Sequence, residues 1–149
     1  MRHIVYIYYH SCICVVCEEI LANYPAFENK GITPLFEQAD DDIQVYADRK
    51  LLVRVIQNLI SNGIKYSTGE IEFVITEGQS VVLAISNSIS EDVDTEKIFD
   101  KFYRADVSRK GEGAGLGLYI CRKLAEEMNG KISARSENKR LTVNIEFLK

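Results

Sequence analysis

A chain of 149 residues, 46% hydrophobic and 27% charged, suits one globular domain that buries roughly two thirds of its unfolded surface without disulfide or metal support. Its formal net charge of −4 argues against nucleic acid as the main partner, because phosphate binding leans on a basic surface. No apolar run reaches the ~20 residues that cross a bilayer, so membrane-spanning, disordered, collagenous and disulfide-scaffold classes are excluded.

The first ten residues hold three of the eight tyrosines and no acidic residue, and read as a strand or a tail. Residues 4–9 offer an unprotected edge that could pair between chains. Cys12, Cys14 and Cys17 follow as C-x-C-x-x-C, with Cys121 far away in a helical pattern. A zinc site would recruit His3 or His10, but paired ligand spacings are missing. The alternative is small apolar residues in a strand and the following helix, in a reduced cytosolic protein. Residues 14–29 read as a helix with Val15, Ile20, Leu21 and Phe27 in the core, ended or kinked by Pro25.

Gly31 leads into a short strand, TPLFEQ, and an acidic turn at residues 40–42. The strongest helix runs from about Asp48, a plausible N-cap, to Tyr66. Leu52, Val55, Ile56, Leu59, Ile60 and Gly63 form its apolar stripe, and Ser67-Thr68-Gly69 stops it. Two strands follow, one alternating at Ile71, Phe73 and Ile75, the other covering residues 81–86. Residues 94–104 read as a short helix carrying Ile98, Phe99 and Phe102, and residues 105–114 as a polar, glycine-rich loop. A helix then starts near Gly115 with Leu118, Ile120, Leu124 and Met128, and stops at Asn129-Gly130. The end reads as a hairpin turning at Glu137-Asn138-Lys139. Together these elements predict a mixed α/β sandwich without internal repeats.

Two features carry chemistry. Asn58, Asn62 and Lys65 project in one line along the long helix, opposite its apolar stripe. Asparagine is a poor helix former, and two amide oxygens beside an ammonium suit a hydrated Mg²⁺ bound to phosphate. The same line also reads as a plain polar face. The second feature is the run Gly111-Glu112-Gly113-Ala114-Gly115-Leu116-Gly117-Leu118, which opens a helix. Alternating glycines admit a ligand close to the backbone, and free amides at a helix start attract anions. It matches neither dinucleotide-binding nor P-loop spacing, and a flexible connector remains open. Arg104, Arg109 and Lys110 precede it, either closing over a polyphosphate or as a solvated charge run.

In order, ADRKLLVRVIQNLISNGIKYS, IFDKFYRADVSR and GEGAGLGLYICRKLAEEMNGKI resemble the ATP-binding catalytic domain of two-component sensor histidine kinases, over roughly residues 14–149. Residues 58–66 match that family's asparagine box, residues 98–104 its phenylalanine box and residues 113–118 its second glycine box. The family belongs to the superfamily of gyrase B, MutL and the heat-shock chaperone ATPases. The resemblance implies an α+β two-layer sandwich of the Bergerat type, a mixed sheet covered on one face by helices, with ATP held under a mobile lid. Residues 1–13 would be an extension and residues 14–149 the ATP-binding domain.

Carried over residue by residue, Asn62 would coordinate Mg²⁺, Asn58 would assist at metal and phosphates, Lys65 would contact phosphate and Tyr66 would pack near the nucleotide. Arg104 and Arg109 stand where lid cations approach the phosphates. Gly113, Gly115 and Gly117, with Leu116 among them, would bring backbone amides there, while Phe99 and Phe102 would anchor the lid helix. Asn87 stands where the family has an aspartate that accepts from the adenine amino group, and the glycines that should follow are gone. An amide oxygen accepts without charge assistance, at a cost on the order of 1 kcal/mol, nearly tenfold in affinity. Weak ATP binding with preserved base choice is the expectation.

The family's phosphoacceptor is a histidine followed by Glu or Asp on a separate helical hairpin, and neither His3 nor His10 has that context. The implied partners are ATP, that acceptor hairpin and a downstream response regulator, with no nucleic acid and no direct membrane contact. The full-length kinase would be a membrane-bound homodimer with this domain in the cytoplasm. Hydrolytic relatives carry a glutamate at the position of Asn58 to activate water, and an amide cannot serve as that base. Transfer to a neutral imidazole, already nucleophilic near neutral pH, fits better. An anti-sigma-type serine kinase and a nucleotide-binding module with a degenerate adenine site are the alternatives.

Overall fold

The computed structural model describes residues 8–38, 43–103 and 117–147. In chain order these form β1 (Tyr8–Ser11), α1 (Cys12–Ala22), α2 (Tyr24–Lys30), β2 (Thr33–Gln38), β3 (Gln44–Ala47), α3 (Arg49–Tyr66), β4 (Glu70–Glu77), β5 (Val81–Ser88), α4 (Gly117–Glu127), β6 (Lys131–Glu137) and β7 (Arg140–Phe147). Five strands make a mixed sheet in the order β2-β4-β5-β7-β6, and β1 pairs with β3 in a separate ribbon. The β2–β4 pair is parallel, joined through β3 and α3, and the other pairs are antiparallel. Among the described residues no helix is long and apolar enough to cross a membrane.

Strand alternation decides which sheet face meets the helices. Phe73, Ile85 and Val143 stand side by side, as do Ile75, Leu83 and Ile145, and all six are buried. They share one core with Val15 and Val16 of α1, the stripe of α3, and Cys121 and Leu124 of α4. Burying each such side chain contributes about 1.5–3 kcal/mol. The opposite face is mixed, with Val74, Val82 and Ala84 among polar groups: Arg140 pairs with Glu72 at 2.8 Å, and the Ser86 and Thr142 hydroxyls hydrogen-bond at 2.8 Å.

The long helix follows the sequence closely. The Asp48 carboxylate accepts from the backbone N–H groups of Lys50 and Leu51 at 2.9 and 3.1 Å, capping two orphan donors. The buried residues are Leu52, Val55, Ile56, Leu59, Ile60 and Gly63, the expected stripe. Gly63 has a packing role, since a Cβ there would lie 2.7 Å from Ile71 Cδ1. The C-terminal hairpin turns through Asn138 and Lys139, at φ 53° and 58°, and the Lys139 N–H donates to Asp92 Oδ1 at 2.9 Å. Helix α4 ends with Asn129 left-handed at φ 58°. At Gly130 a Cβ would stand 2.9 Å from the Glu146 carbonyl oxygen.

Several expectations change. The helix expected over residues 14–29 is two helices broken at Asn23, and Pro25 opens the second, where its missing N–H costs nothing. Leu21 is 70% exposed and outside the core, while Val15 and Phe27 are buried and Ile20 partly so. The short strand β3 was overlooked, although Ile43, Val45 and Ala47 alternate with Gln44 and Tyr46 and are all buried. Tyr8 and Tyr9 pair with Ala47 and Tyr46 of the same chain; residues 4–7 and 40–42 lie outside the described residues.

No regular helix forms over residues 94–103. Turns tie the segment together instead: Asp94 accepts from the Lys97, Ile98 and Glu96 N–H groups, and Tyr103 donates to the Asp100 carbonyl. Ile98 and Phe99 are adjacent in sequence and both buried, which anchors the chain at one point and offers no helical stripe. Phe102 is 62% exposed at φ 65°, so Phe99 alone of the two aromatics enters the core.

Candidate functional site

Helices α3 and α4 lie against each other. Gly117, which opens α4, approaches Asn62: a Cβ at Gly117 would lie 3.9 Å from Asn62 Oδ1. One turn further along α4, the Cys121 thiol donates to the Val55 carbonyl of α3 at 3.7 Å. Gly117 and Cys121, one turn apart on α4, therefore meet Asn62 and Val55 of α3, so the two helices run antiparallel.

Asn58, Asn62 and Lys65 are half-buried, intermediate between core and solvent. Lys65 Nζ stands 5.2 Å from the centre of the Tyr66 ring, and Tyr66 is 37% exposed. Such a line of amides and an ammonium bordering a helix start suits an anion with an oxygen-coordinated cation, by the chemistry of its donors. Among the described residues no cluster of three His, Cys, Asp or Glu side chains could hold a metal ion. Cys12 and Cys121 are buried, Cys14 is exposed and Cys17 intermediate, all as free thiols. Burial pushes the Cys12 and Cys121 thiols up to about 12, so both stay protonated. Burial, and then the neighbouring Cys14, raise Cys17.

Asn87 lies within β5, between Ile71 of β4 and Leu141 of β7, on the face that otherwise carries apolar side chains. It is 6% exposed, and its Nδ2 donates to the Ser88 carbonyl at 3.1 Å. A buried amide in an apolar row is expensive without partners, and its engaged Nδ2 leaves Oδ1 as its acceptor. Nearby, the Thr68 N–H also donates to the Ser88 carbonyl, and the Thr68 hydroxyl to the Ser88 hydroxyl at 2.8 Å. The strand expected to stop at Ser86 continues to Ser88 and so takes in Asn87.

Arg104, Arg109, Lys110, Gly111, Gly113, Gly115 and Leu116 lie outside the described residues, as do His3 and the rest of the glycine run before Gly117. The sequence reading noticed Cys121 only as part of a helical pattern and missed that its thiol meets the Val55 carbonyl of α3. Its spacing from Gly117, the same i, i+4 that links Asn58 to Asn62, was the available signal.

The profile described as "Histidine kinase-, DNA gyrase B-, and HSP90-like ATPase" matches residues 47–149. Adaptive-response sensory kinase SasA of Rippkaea orientalis is 36% identical over 135 residues, covering 85% of this chain and 34% of that protein. The chain spans 24–42% of the length of the first three curated relatives it matches. Among solved structures, the nucleotide-free catalytic domain of histidine kinase ThkA superposes with a TM-score of 0.84 at 26% identity, covering 97% of this chain and 96% of that one. ThkA in complex with the response regulator protein TrrA has the same fold, with a TM-score of 0.81 at 23% identity over 96% of this chain and 42% of that one. The chain belongs to the histidine kinase-, DNA gyrase B- and HSP90-like ATPase family, and its fold is that of a histidine kinase catalytic domain.

Proposed function

We propose that this domain binds Mg·ATP along the polar line of α3, against the start of α4, and transfers the γ-phosphate to a histidine on an acceptor helical hairpin of the same or a partner kinase. The observation that carries this reading is the approach of Gly117 to Asn62, which joins the glycine run to the asparagine line. Asn62 and Asn58 would hold Mg²⁺ through their amide oxygens, a donor set that leaves positions for water and phosphate oxygens. Bound there, Mg²⁺ would neutralise phosphate charge. Lys65 adds a point charge toward the phosphates, and Asn87 Oδ1 accepts from the adenine amino group.

Phosphoryl transfer asks a protein mainly for positioning and charge neutralisation, and these residues supply both. Asn58 cannot take a proton from water, which favours transfer to imidazole over hydrolysis. A response regulator would receive the phosphoryl group afterwards; the ThkA–TrrA complex is a relative's instance of such a pairing.

Incubation with radiolabelled ATP and a purified sensor hairpin should yield acid-labile label on the hairpin. Acid-stable label would point to a serine kinase, and a folded protein that binds no Mg·ATP would leave only a module with a degenerate site. Asn62→Ala should weaken Mg-dependent nucleotide binding by about a hundredfold by calorimetry, at the upper end of losses seen around metal sites. Its melting temperature should not change, because no apolar surface is lost.

A further inference from the structure

We propose that Cys14 and Cys17 are a thiol-oxidation site, a pair on the outward face of α1 that forms a reversible disulfide by exchange with a small disulfide of the glutathione class. The C-x-C-x-x-C run divides by burial. Cys12 lies with Val15, Val16 and Ile20 on the stripe that α1 turns to the core, whereas Cys14 is exposed and Cys17 half-buried. Cys14, Cys17 and Leu21 follow at i, i+3 and i+7 on the other side of the helix, where Leu21 is 70% exposed. The core therefore needs neither outward thiol, and the site proposed for Mg·ATP uses neither.

Residues three apart in an α-helix have Cα atoms about 5 Å apart, inside the range of about 4.4–6.8 Å that a disulfide spans. Their Cβ atoms stand about 5–6 Å apart and must close to about 4 Å, so the bond tightens the turn from Cys14 to Cys17. Helix α1 begins at Cys12, and the Cys14 N–H has no carbonyl one turn earlier within the helix, so the turn tightens at little cost in helical hydrogen bonds. The strain that remains makes the disulfide easy to reduce, which suits a reversible site. Burial also selects the pair. The thiolate is the attacking species, and burial pushes the Cys12 and Cys121 thiols up to about 12, which keeps both out of exchange. Exposed Cys14 attacks one sulfur of the disulfide and expels one glutathione thiolate. Cys17 then attacks the Cys14 sulfur, forms the intramolecular bond and expels the second. Two cysteine thiols are oxidised, one disulfide is reduced to two thiols, and the two cysteine protons pass to the departing thiolates.

The test is incubation of the folded protein with oxidised glutathione, after which remaining thiols are alkylated in denaturant, disulfides are reduced and the released thiols take a second alkylating reagent. Fragment sequencing by mass spectrometry should place the second label on Cys14 and Cys17 and the first on Cys12 and Cys121. The intact oxidised protein should have lost two hydrogens and kept no glutathione, and excess reduced glutathione should restore all four thiols. Cys17→Ser should instead retain one glutathione on Cys14, because no second thiol expels it. In Cys14→Ser, Cys17 should take up glutathione more slowly than Cys14 does in Cys17→Ser. No reaction, a wild type that keeps glutathione on Cys14, a second label on Cys12 or Cys121, or linked dimers in place of the intramolecular bond overturns the proposal. A bond that excess reduced glutathione does not open overturns its reversibility. Both serine substitutions lie off the core, and the wild-type labelling decides by itself should either variant fail to fold.

Discussion

Along one side of α3, Leu52, Val55, Ile56, Leu59, Ile60 and Gly63 are buried, whereas along the other Asn58, Asn62 and Lys65 stay half-buried. The apolar side meets the sheet and α1 and holds the domain together through area removed from water. The polar side borders the start of α4 and carries groups whose value lies in where their oxygens and charge stand. A helical period of 3.6 residues keeps the two sets apart on one short element, so stability and ligand chemistry can be altered separately.

Substitutions on the buried side should change stability and leave binding alone. Leu52→Ala has the largest expected effect, about 2–5 kcal/mol of unfolding free energy in urea titrations, from lost burial and the cavity left behind. Calorimetry on the fraction that remains folded should give wild-type affinity for Mg·ATP, and a loss of affinity there would show that the two sides of α3 are not independent.

Alkaline pH probes the same core through Cys12, which is buried in the cluster that covers α3. Its thiol is raised from 9.0 to about 12 in the folded protein, so its contribution is complete below pH 9 and is lost as pH rises toward 12. At pH 10 this one group should lower stability by about 1.4 kcal/mol relative to pH 8. Denaturant titrations at both pH values, with Cys12→Val as the reference for other titrating groups, measure it. A variant with the same pH slope as the wild type would place the thiol in contact with water.

The smallest effect belongs to the helix start. Asp48→Ala removes an acceptor for two backbone N–H groups and should cost about 1 kcal/mol, with nucleotide affinity unchanged. A loss of affinity without loss of stability would mean that the cap governs the polar line of α3 more than its folding.

Legibility in the sequence tracked how local the governing physics was. The cap, stripe and stop of α3 depend on periodicity and backbone donors within a few residues, and all three stood where the sequence put them. The segment over residues 94–103 was misread because two adjacent buried residues, Ile98 and Phe99, imitate part of a helical face while anchoring a set of turns. Leu21 was misplaced because α1 turns Cys12, Val15, Val16 and Ile20 toward the core at spacings of three and four, and Leu21 lies off that stripe. Short β3 went unseen although Ile43, Val45 and Ala47 alternate, because four residues are too few for that pattern to stand out until β1 pairs with them.

The amino-acid sequence by itself determined the family, the order of the motifs, the polar line on α3 and the exceptional asparagine at position 87, because residue type and spacing carry that information. Tertiary structure alone decided that Gly117 comes beside Asn62, that Asn87 lies inside an apolar row with its Nδ2 engaged, and that the Cys121 thiol meets the Val55 carbonyl. Those are contacts between segments far apart in the chain, and they exist only once the sheet and helices pack into one core.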